Sequence, residues 1–197
     1  AVIPHIPREE KRGERILQFK RRLKLLRTNP MLLFRPRKGI GGDERPALHA
    51  HYAPNSIVAE AYRILRTNLK ISPERKVILV TSSGPGEGKT TVLSNLGIVI
   101  AQGGARTMLV ASDLRRPEVD RAFGLSRDDQ GLAEVLRGAI PLERVIKGLS
   151  DFILGKFGYD EAVKNPYLSN LFVINTGQLP DNPVELVGSK LMQDLLK

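Results

Sequence analysis

A glycine-rich loop that directly follows an apolar run constrains the fold of this chain more than any other feature. The loop spans residues 83–91 and reads Ser-Gly-Pro-Gly-Glu-Gly-Lys-Thr-Thr, and the apolar run occupies residues 77–80. Glycines let backbone N–H groups turn inward around phosphate groups, and a helix that begins at the end of the loop adds its positive dipole end. The pattern predicts a buried strand over residues 76–81, a phosphate-binding loop, and a helix over residues 89–102.

Individual side chains of this loop have separate predicted roles. Lys89 is expected to contact the β- and γ-phosphates of a nucleotide, and the Thr90 hydroxyl is expected to ligate Mg²⁺. Ser83 stands where the strict pattern has glycine. A chance glycine-rich turn is therefore an alternative, but the placement between strand and helix favours nucleotide binding. The predicted nucleotide-binding residues are Gly84, Pro85, Gly86, Glu87, Gly88, Lys89, Thr90, Thr91 and Arg115.

A second apolar run, residues 108–111, is followed closely by Asp113. A strand that ends there would place the carboxylate at the carboxyl edge of the sheet, where Mg²⁺ and the γ-phosphate would lie. The alternative is an ordinary loop start, which is the weaker interpretation after a phosphate-binding loop. We therefore predict Lys89 and Asp113 as catalytic residues, and Thr90 and Asp113 as metal ligands. Arg115 is expected to bind phosphate or to pair with an acidic neighbour.

The remaining segments alternate between strand and helix patterns. Such alternation predicts an α/β fold with a parallel sheet flanked by helices, as in P-loop NTPases. The other predicted elements are helices over residues 56–69, 117–123, 132–137 and 183–196 and strands over residues 107–111 and 170–175.

The charge of the chain is unevenly distributed. The net charge is +10 over 197 residues, and residues 1–45 hold 13 Lys and Arg against 5 Asp and Glu. We predict a basic juxtamembrane arm and linker over residues 1–54 and a P-loop domain over residues 55–197. A basic amphipathic helix near residues 14–27 favours contact with an anionic membrane surface, and the alternative is a helix that packs on its own domain.

Composition excludes several classes of function. The chain has no cysteine, which rules out disulfides, thiolate metal sites and cysteine nucleophiles. No stretch approaches the roughly 18 apolar residues that a membrane-spanning helix needs. Few aromatic residues and no recognised module argue against nucleic-acid binding. His5, His49 and His51 have no metal-ligand spacing and are expected to face solvent in linkers.

Several separated stretches of the chain resemble the bacterial tyrosine kinases (BY-kinases) of capsule and exopolysaccharide export. The matching stretches are residues 2–6, the helix at 60–69, the phosphate loop, residues 112–117, and residues 131–145 with 177–196. The resemblance implies an ATP- and Mg²⁺-dependent protein-tyrosine kinase at the cytoplasmic face of the bacterial inner membrane. It also implies a membrane-embedded polysaccharide co-polymerase as partner, expected in the same polypeptide.

The resemblance further implies a ring-like homo-oligomer whose interface contains Glu60, Arg63 and Arg66. These residues lie at i, i+3 and i+6 on one flank of a predicted helix. A Glu–Arg pair at that spacing stabilises a helix by only about 0.2–0.5 kcal/mol, so spacing alone is equally compatible with a solvated face. The interface interpretation therefore depends on the resemblance.

The chain departs from the family pattern in three ways. Ala111 stands where the family has the first of two aspartates, which assists metal binding and activates the attacking tyrosine. The chain ends at Lys197, before the strand that carries the Walker B aspartate, so we expect that the C-terminal part is missing. The tyrosine-rich tail is absent, and the four tyrosines are Tyr52, Tyr62, Tyr159 and Tyr167. Residues 150–169 look like an insertion.

These departures leave two further hypotheses beside the kinase. One is a catalytically impaired scaffold that binds nucleotide and regulates the co-polymerase, which Ala111 favours. The other is a ParA/MinD-like positioning ATPase. Those proteins carry a signature lysine at the position of Gly84, which this chain lacks.

Overall fold

The computed structural model describes residues 48–69, 77–126, 130–148, 151, 160 and 163–196. These residues fall into two units: the loop Ser82–Gly88 and all the other described residues. The predicted basic arm lies outside the described residues, apart from its last few positions. Among the described helices, none is both long and apolar enough to cross a membrane.

The larger unit contains seven α-helices and three strands within the described ranges. The helices are α1 His49–Tyr52, α2 Ile57–Asn68, α3 Lys89–Gln102, α4 Val119–Phe123, α5 Leu132–Leu136, α6 Pro183–Val187 and α7 Lys190–Leu195. The strands are β1 Thr107–Val110, β2 Ile146–Lys147 and β3 Leu171–Ile174. Two 3₁₀ turns, Leu142–Arg144 and Pro166–Asn170, precede β2 and β3.

The sheet has the order β1-β3-β2. Strands β1 and β3 are parallel, with Thr107 opposite Leu171 and Val110 opposite Ile174. Strand β2 is antiparallel to β3, so the sheet is mixed: the predicted parallel arrangement is confirmed for β1 and β3 and wrong for β2. Two residues are too few to show the alternation of side chains that marks a strand in a sequence.

Residues 77–80 do not form the predicted buried strand. They carry no strand assignment, and the side chains of Val77 and Leu79 are 56% and 79% exposed. An apolar run becomes a strand only when a neighbouring strand takes up its backbone hydrogen bonds. Among the described residues, the three-stranded sheet does not provide residues 77–80 with such a neighbour.

Most of the predicted helices and strands are confirmed. Helix α3 has the predicted bounds, and α2 begins after Ser56, whose hydroxyl accepts a hydrogen bond from the Ala59 N–H at 3.1 Å. The single helix predicted over residues 183–196 was wrong, because the chain breaks at Gly188 into α6 and α7. The Ser189 side chain caps α7 by accepting from the Met192 N–H.

The buried core lies between helix α3 and the sheet. Gly97 of α3 lies against Leu109 of β1, and a Cβ atom there would approach the Leu109 Cγ atom to 3.1 Å. A second apolar cluster lies beside the sheet and contains Leu114, Leu132, Leu136, Val145, Ile174 and Met192. Because β1 and β3 are parallel, their carboxyl ends lie at the same edge of the sheet.

The expectation that His51 faces solvent in a linker was wrong. His51 belongs to helix α1, is 3% exposed, and its Nδ1 lies 2.5 Å from the Tyr167 hydroxyl. Neighbouring Ala50 donates its N–H to Asn95 Oδ1 at 2.8 Å and accepts from Gln102 Nε2 at 3.0 Å. Residues 48–53 thus pack on α3. Most of the suspected insertion at 150–169 lies outside the described residues.

Candidate functional site

The loop Ser82–Gly88 is shaped by its glycines and by hydrogen bonds within it. Gly86 and Gly88 have φ values of 75° and 92°, in the left-handed region that side chains with a Cβ atom rarely adopt. Within the described part of the chain, a Cβ atom on Gly86 would have no neighbour within 4 Å. The Ser82 hydroxyl donates to the Gly84 carbonyl at 2.8 Å. Inward-turning backbone of this kind is what the prediction of a phosphate-binding loop requires.

The Glu87 carboxylate accepts hydrogen bonds from its own loop. The Gly84 N–H donates to it at 3.0 Å, and the Ser83 hydroxyl donates at 3.2 Å. The backbone hydrogen bond from Gly84 is the main reason that the pKa of Glu87 is lowered, and the Ser83 bond acts in the same direction. Within the loop, a side-chain anion therefore holds a backbone donor that is predicted to face phosphate.

The larger unit contains a small pocket at the carboxyl end of β1. Helix α3 contributes Lys89 and Thr90 at its first turn, and the segment after β1 contributes Ser112 and Asp113. The other lining residues are Val80, Leu93, Val110, Ala111, Pro117, Glu118 and Val119. Two parts of the chain more than 20 positions apart thus bring an ammonium group, hydroxyls and carboxylates to one place.

The Asp113 carboxylate is oriented by the backbone that follows it. Its Oδ1 accepts from the Arg116 N–H at 3.0 Å and from the Arg115 N–H at 3.3 Å. Together with the Thr90 hydroxyl, this carboxylate supplies the hard oxygen ligands that Mg²⁺ prefers. The donor set of the pocket therefore fits Mg²⁺. The pocket volume, about 50 Å³, fits a metal ion or one phosphoryl group.

Ala111 lines the pocket where the resemblance places an aspartate. It is 2% exposed, its N–H donates to the Ile174 carbonyl at 2.9 Å, and its carbonyl accepts from the Thr176 hydroxyl at 3.3 Å. A methyl group at this position supplies no ligand and no proton acceptor. Glu118, which sequence reasoning missed, adds a second carboxylate to the same lining. In the sequence, its position five residues after Asp113 was the only feature that could have indicated a place in the pocket.

Other predicted site residues are placed elsewhere. Thr91 and Arg115 do not line this pocket; Thr91 is half-buried on α3 and Arg115 is exposed. The predicted residues Gly84, Pro85, Gly86, Glu87 and Gly88 belong to the loop unit. Of the predicted site, the larger unit thus brings Lys89, Thr90 and Asp113 together.

The residues of the predicted oligomer interface make contacts within the chain. Glu60 and Arg63 form an ion pair at 3.0 Å, and Arg63 Nη2 also donates to the Pro54 carbonyl at 2.7 Å. Arg66 donates to a backbone carbonyl of helix α3. The spacing of Glu60, Arg63 and Arg66 is therefore also explained by an ion pair and hydrogen bonds inside the chain.

Comparison with known proteins agrees with this architecture. The chain is 34% identical to the tyrosine-protein kinase YwqD of Bacillus subtilis, over 81% of this chain and 61% of that protein. It is 32% identical to the tyrosine-protein kinase CpsD of Streptococcus pneumoniae serotype 4, over 70% of this chain and 54% of that protein. The chain thus spans a little over half the length of these two relatives. No family model matches the chain.

Solved structures show the same relationship. The kinase domain of the Escherichia coli tyrosine kinase ETK matches with a TM-score of 0.63 and 30% identity, over 82% of this chain and 58% of that domain. Sequence and structure agree on one set of proteins. Over about four fifths of its length, the chain is a homologue of the bacterial tyrosine-protein kinases and shares the P-loop fold of their kinase domains.

Proposed function

We propose that the chain is the nucleotide-binding part of an ATP-dependent protein-tyrosine kinase that regulates capsule or exopolysaccharide polymerisation and export. The observation that carries the proposal is the meeting of Lys89, Thr90 and Asp113 in one pocket. The names of the relatives support tyrosine as the acceptor, since YwqD and CpsD are tyrosine-protein kinases.

The chemistry follows from the groups in the pocket. The Lys89 ammonium neutralises charge on the β- and γ-phosphates of ATP, and Thr90 and Asp113 would hold Mg²⁺. When bound, the metal would neutralise charge that develops on the transferring phosphoryl group. The residues Gly84, Pro85, Gly86, Glu87, Gly88, Thr91 and Arg115 are proposed to contact the rest of the nucleotide. Little covalent work is required of the protein, because positioning and charge stabilisation carry phosphoryl transfer.

The decisive experiment uses the complete protein encoded by the gene. It is incubated with Mg²⁺ and ATP labelled at the γ-phosphate, and phosphotyrosine is measured. Lys89→Met should abolish transfer and weaken ATP binding at least tenfold, since the phosphates lose their cation. Lys190→Met is the matched control, because that lysine is exposed and pairs with exposed Asp194 at 3.1 Å. A complete protein that binds ATP and forms no phosphotyrosine would sink the proposal.

The proposed partners are further copies of the chain and a membrane-embedded polysaccharide co-polymerase. We propose a ring-like homo-oligomer through Glu60, Arg63 and Arg66, at the cytoplasmic face of the bacterial inner membrane, with the basic arm on anionic lipid. Glu60→Lys removes only a solvent-exposed pair with Arg63 but reverses the surface charge of α2. It should shrink the oligomer in light scattering, and Glu143→Lys, on an exposed 3₁₀ turn, should not.

A nucleotide-binding scaffold without kinase activity is the second candidate. Buried Ala111 favours it, because the pocket lacks a carboxylate at that position. It predicts ATP-dependent changes in oligomer size without phosphotyrosine. A ParA/MinD-like ATPase has less support, since the solved structures that the chain resembles include the tyrosine kinase domains of ETK and BceF.

A further inference from the structure

We propose that Glu118 is a catalytic residue of the pocket: its carboxylate accepts the proton of the tyrosine hydroxyl during phosphoryl transfer. The proposal rests on the proposed kinase function. It assigns to Glu118 the task that an aspartate at position 111 performs in the resembling family.

The position of Glu118 carries the inference. Its side chain lines the same pocket as Lys89, Thr90 and Asp113, and it stands at the N-terminal boundary of helix α4. The side chain is 40% exposed, so an incoming tyrosine can reach it from solvent. Pro117, the residue before Glu118, is buried and lines the same pocket.

The other acidic groups near the pocket have different environments. Asp113 has one oxygen held by two backbone N–H groups and is the proposed metal ligand. Asp120 is 1% exposed, accepts from the Thr176 N–H at 3.3 Å, and is absent from the lining. Ala111 has no carboxylate. Among the lining residues, Glu118 is therefore the carboxylate that remains for the acceptor tyrosine.

Arg121 leaves Glu118 able to take this role. Its Nη1 lies 3.7 Å from Glu118 Oε2, and both side chains are 40% exposed. A long, exposed ion pair contributes little to stability, because water screens both charges. Glu118 can therefore exchange Arg121 for a tyrosine hydroxyl at small cost.

Phosphoryl transfer to tyrosine forms one phosphorus–oxygen bond and breaks another. The phenolic oxygen of tyrosine forms a bond to the γ-phosphorus of ATP. The bond from that phosphorus to the β,γ-bridging oxygen breaks, and ADP leaves with the electron pair. The phenolic proton passes to the Glu118 carboxylate and afterwards to solvent. No further co-reactant is needed beyond ATP, which the proposed function supplies.

The test compares four forms of the complete protein: wild type, Glu118→Gln, the matched surface control Glu143→Gln, and the double variant Ala111→Asp with Glu118→Gln. For each form, the rate of tyrosine phosphorylation and the affinity for ATP with Mg²⁺ are measured separately. Glutamine keeps the size of glutamate but cannot take the proton. We expect Glu118→Gln to lower kcat about 10²-fold with ATP affinity changed less than about twofold.

The remaining forms make the result specific. Glu143→Gln should match wild type, and Ala111→Asp should restore most of the rate lost by Glu118→Gln. Wild-type rates in Glu118→Gln would overturn the role of Glu118 while leaving the kinase function standing. A parallel loss of ATP affinity would also overturn it, since that residue would then bind nucleotide. ATP binding without phosphotyrosine in the wild type would overturn both proposals together.

Discussion

Arg66 of helix α2 donates a hydrogen bond from Nη1 to the backbone carbonyl oxygen of Val99 in helix α3, at 2.6 Å. Val99 lies near the C-terminal end of α3, where the helix dipole is negative, and its carbonyl also accepts from the Gly103 N–H at 3.2 Å. Gly103 makes room for the guanidinium, because a Cβ atom there would lie 2.5 Å from Nη1. The helix that starts with Lys89 is thus tied at its far end to the helix predicted to form the oligomer interface.

Removing this contact should destabilise the protein. Arg66→Ala leaves the Val99 carbonyl without a charged donor in a partly buried place, so we expect the free energy of unfolding to fall by about 1–2 kcal/mol. Urea denaturation measures the change. Arg144→Ala, at an exposed arginine on a 3₁₀ turn, should stay within about 0.5 kcal/mol of wild type. Equal losses in the two variants would contradict the contact.

Gly177 should tolerate no side chain. Its φ is 76°, and a Cβ atom would collide with the Glu134 carboxylate and lie 2.7 Å from the Gly131 nitrogen. Gly177→Ala should therefore cost more than about 2 kcal/mol of stability in thermal or urea unfolding. Gly104→Ala is the control, since Gly104 has a φ of 87° but no described residue lies within 4 Å of where its Cβ atom would be. It isolates the backbone strain, about 1 kcal/mol, and a similar cost at both positions would refute the collision.

Tyr62 should make the protein sensitive to alkaline pH. Burial raises the pKa of Tyr62 from 10.0 to about 12. The folded state therefore favours the neutral phenol, and this contribution is present below pH 10 and lost as the pH rises from 10 towards 12. Tyr62→Phe should lose less stability than wild type between pH 9 and about pH 11 in urea denaturation. Tyr52→Phe, at a tyrosine that is 56% exposed, should behave as wild type.

The burial of Tyr62 also limits its modification. The side chain is 2% exposed, so a kinase would reach it only after local unfolding. Mass spectrometry of the protein phosphorylated under native conditions should find no phosphate on Tyr62. Phosphate on Tyr62 at a level similar to that on Tyr52 would show that the helix opens.

Protonation of Glu87 should be detectable at the backbone of the phosphate loop. The Gly84 N–H holds the pKa of Glu87 below its ordinary value of 4.5. The carboxylate thus stabilises the loop at pH values above 4.5, and this contribution disappears as the pH falls through the lowered pKa. The NMR shift of the Gly84 amide should follow a transition with a midpoint below 4.5, and Glu87→Gln should abolish it. A midpoint at or above 4.5 would contradict the hydrogen bond.

Local patterns in the sequence were sufficient for much of the fold and part of the site. The bounds of α3 follow from the glycines that flank it, and the positions of β1 and β3 follow from short apolar runs. Lys89, Thr90 and Asp113 could be named because each follows a recognisable strand or loop signal within a few residues. These features depend on neighbours along the chain, which a sequence displays directly.

Tertiary packing alone decided the long-range contacts and the remaining pocket residue. The pairing of His51 with Tyr167, the contact of Arg66 with Val99, and the place of Glu118 in the pocket each join residues or elements that no local pattern relates. Residues 77–80 have the composition of a strand, yet their state depends on whether a partner strand lies beside them. A side chain's burial and contacts depend on which distant segments pack against it, and the amino-acid order specifies that only through the whole fold.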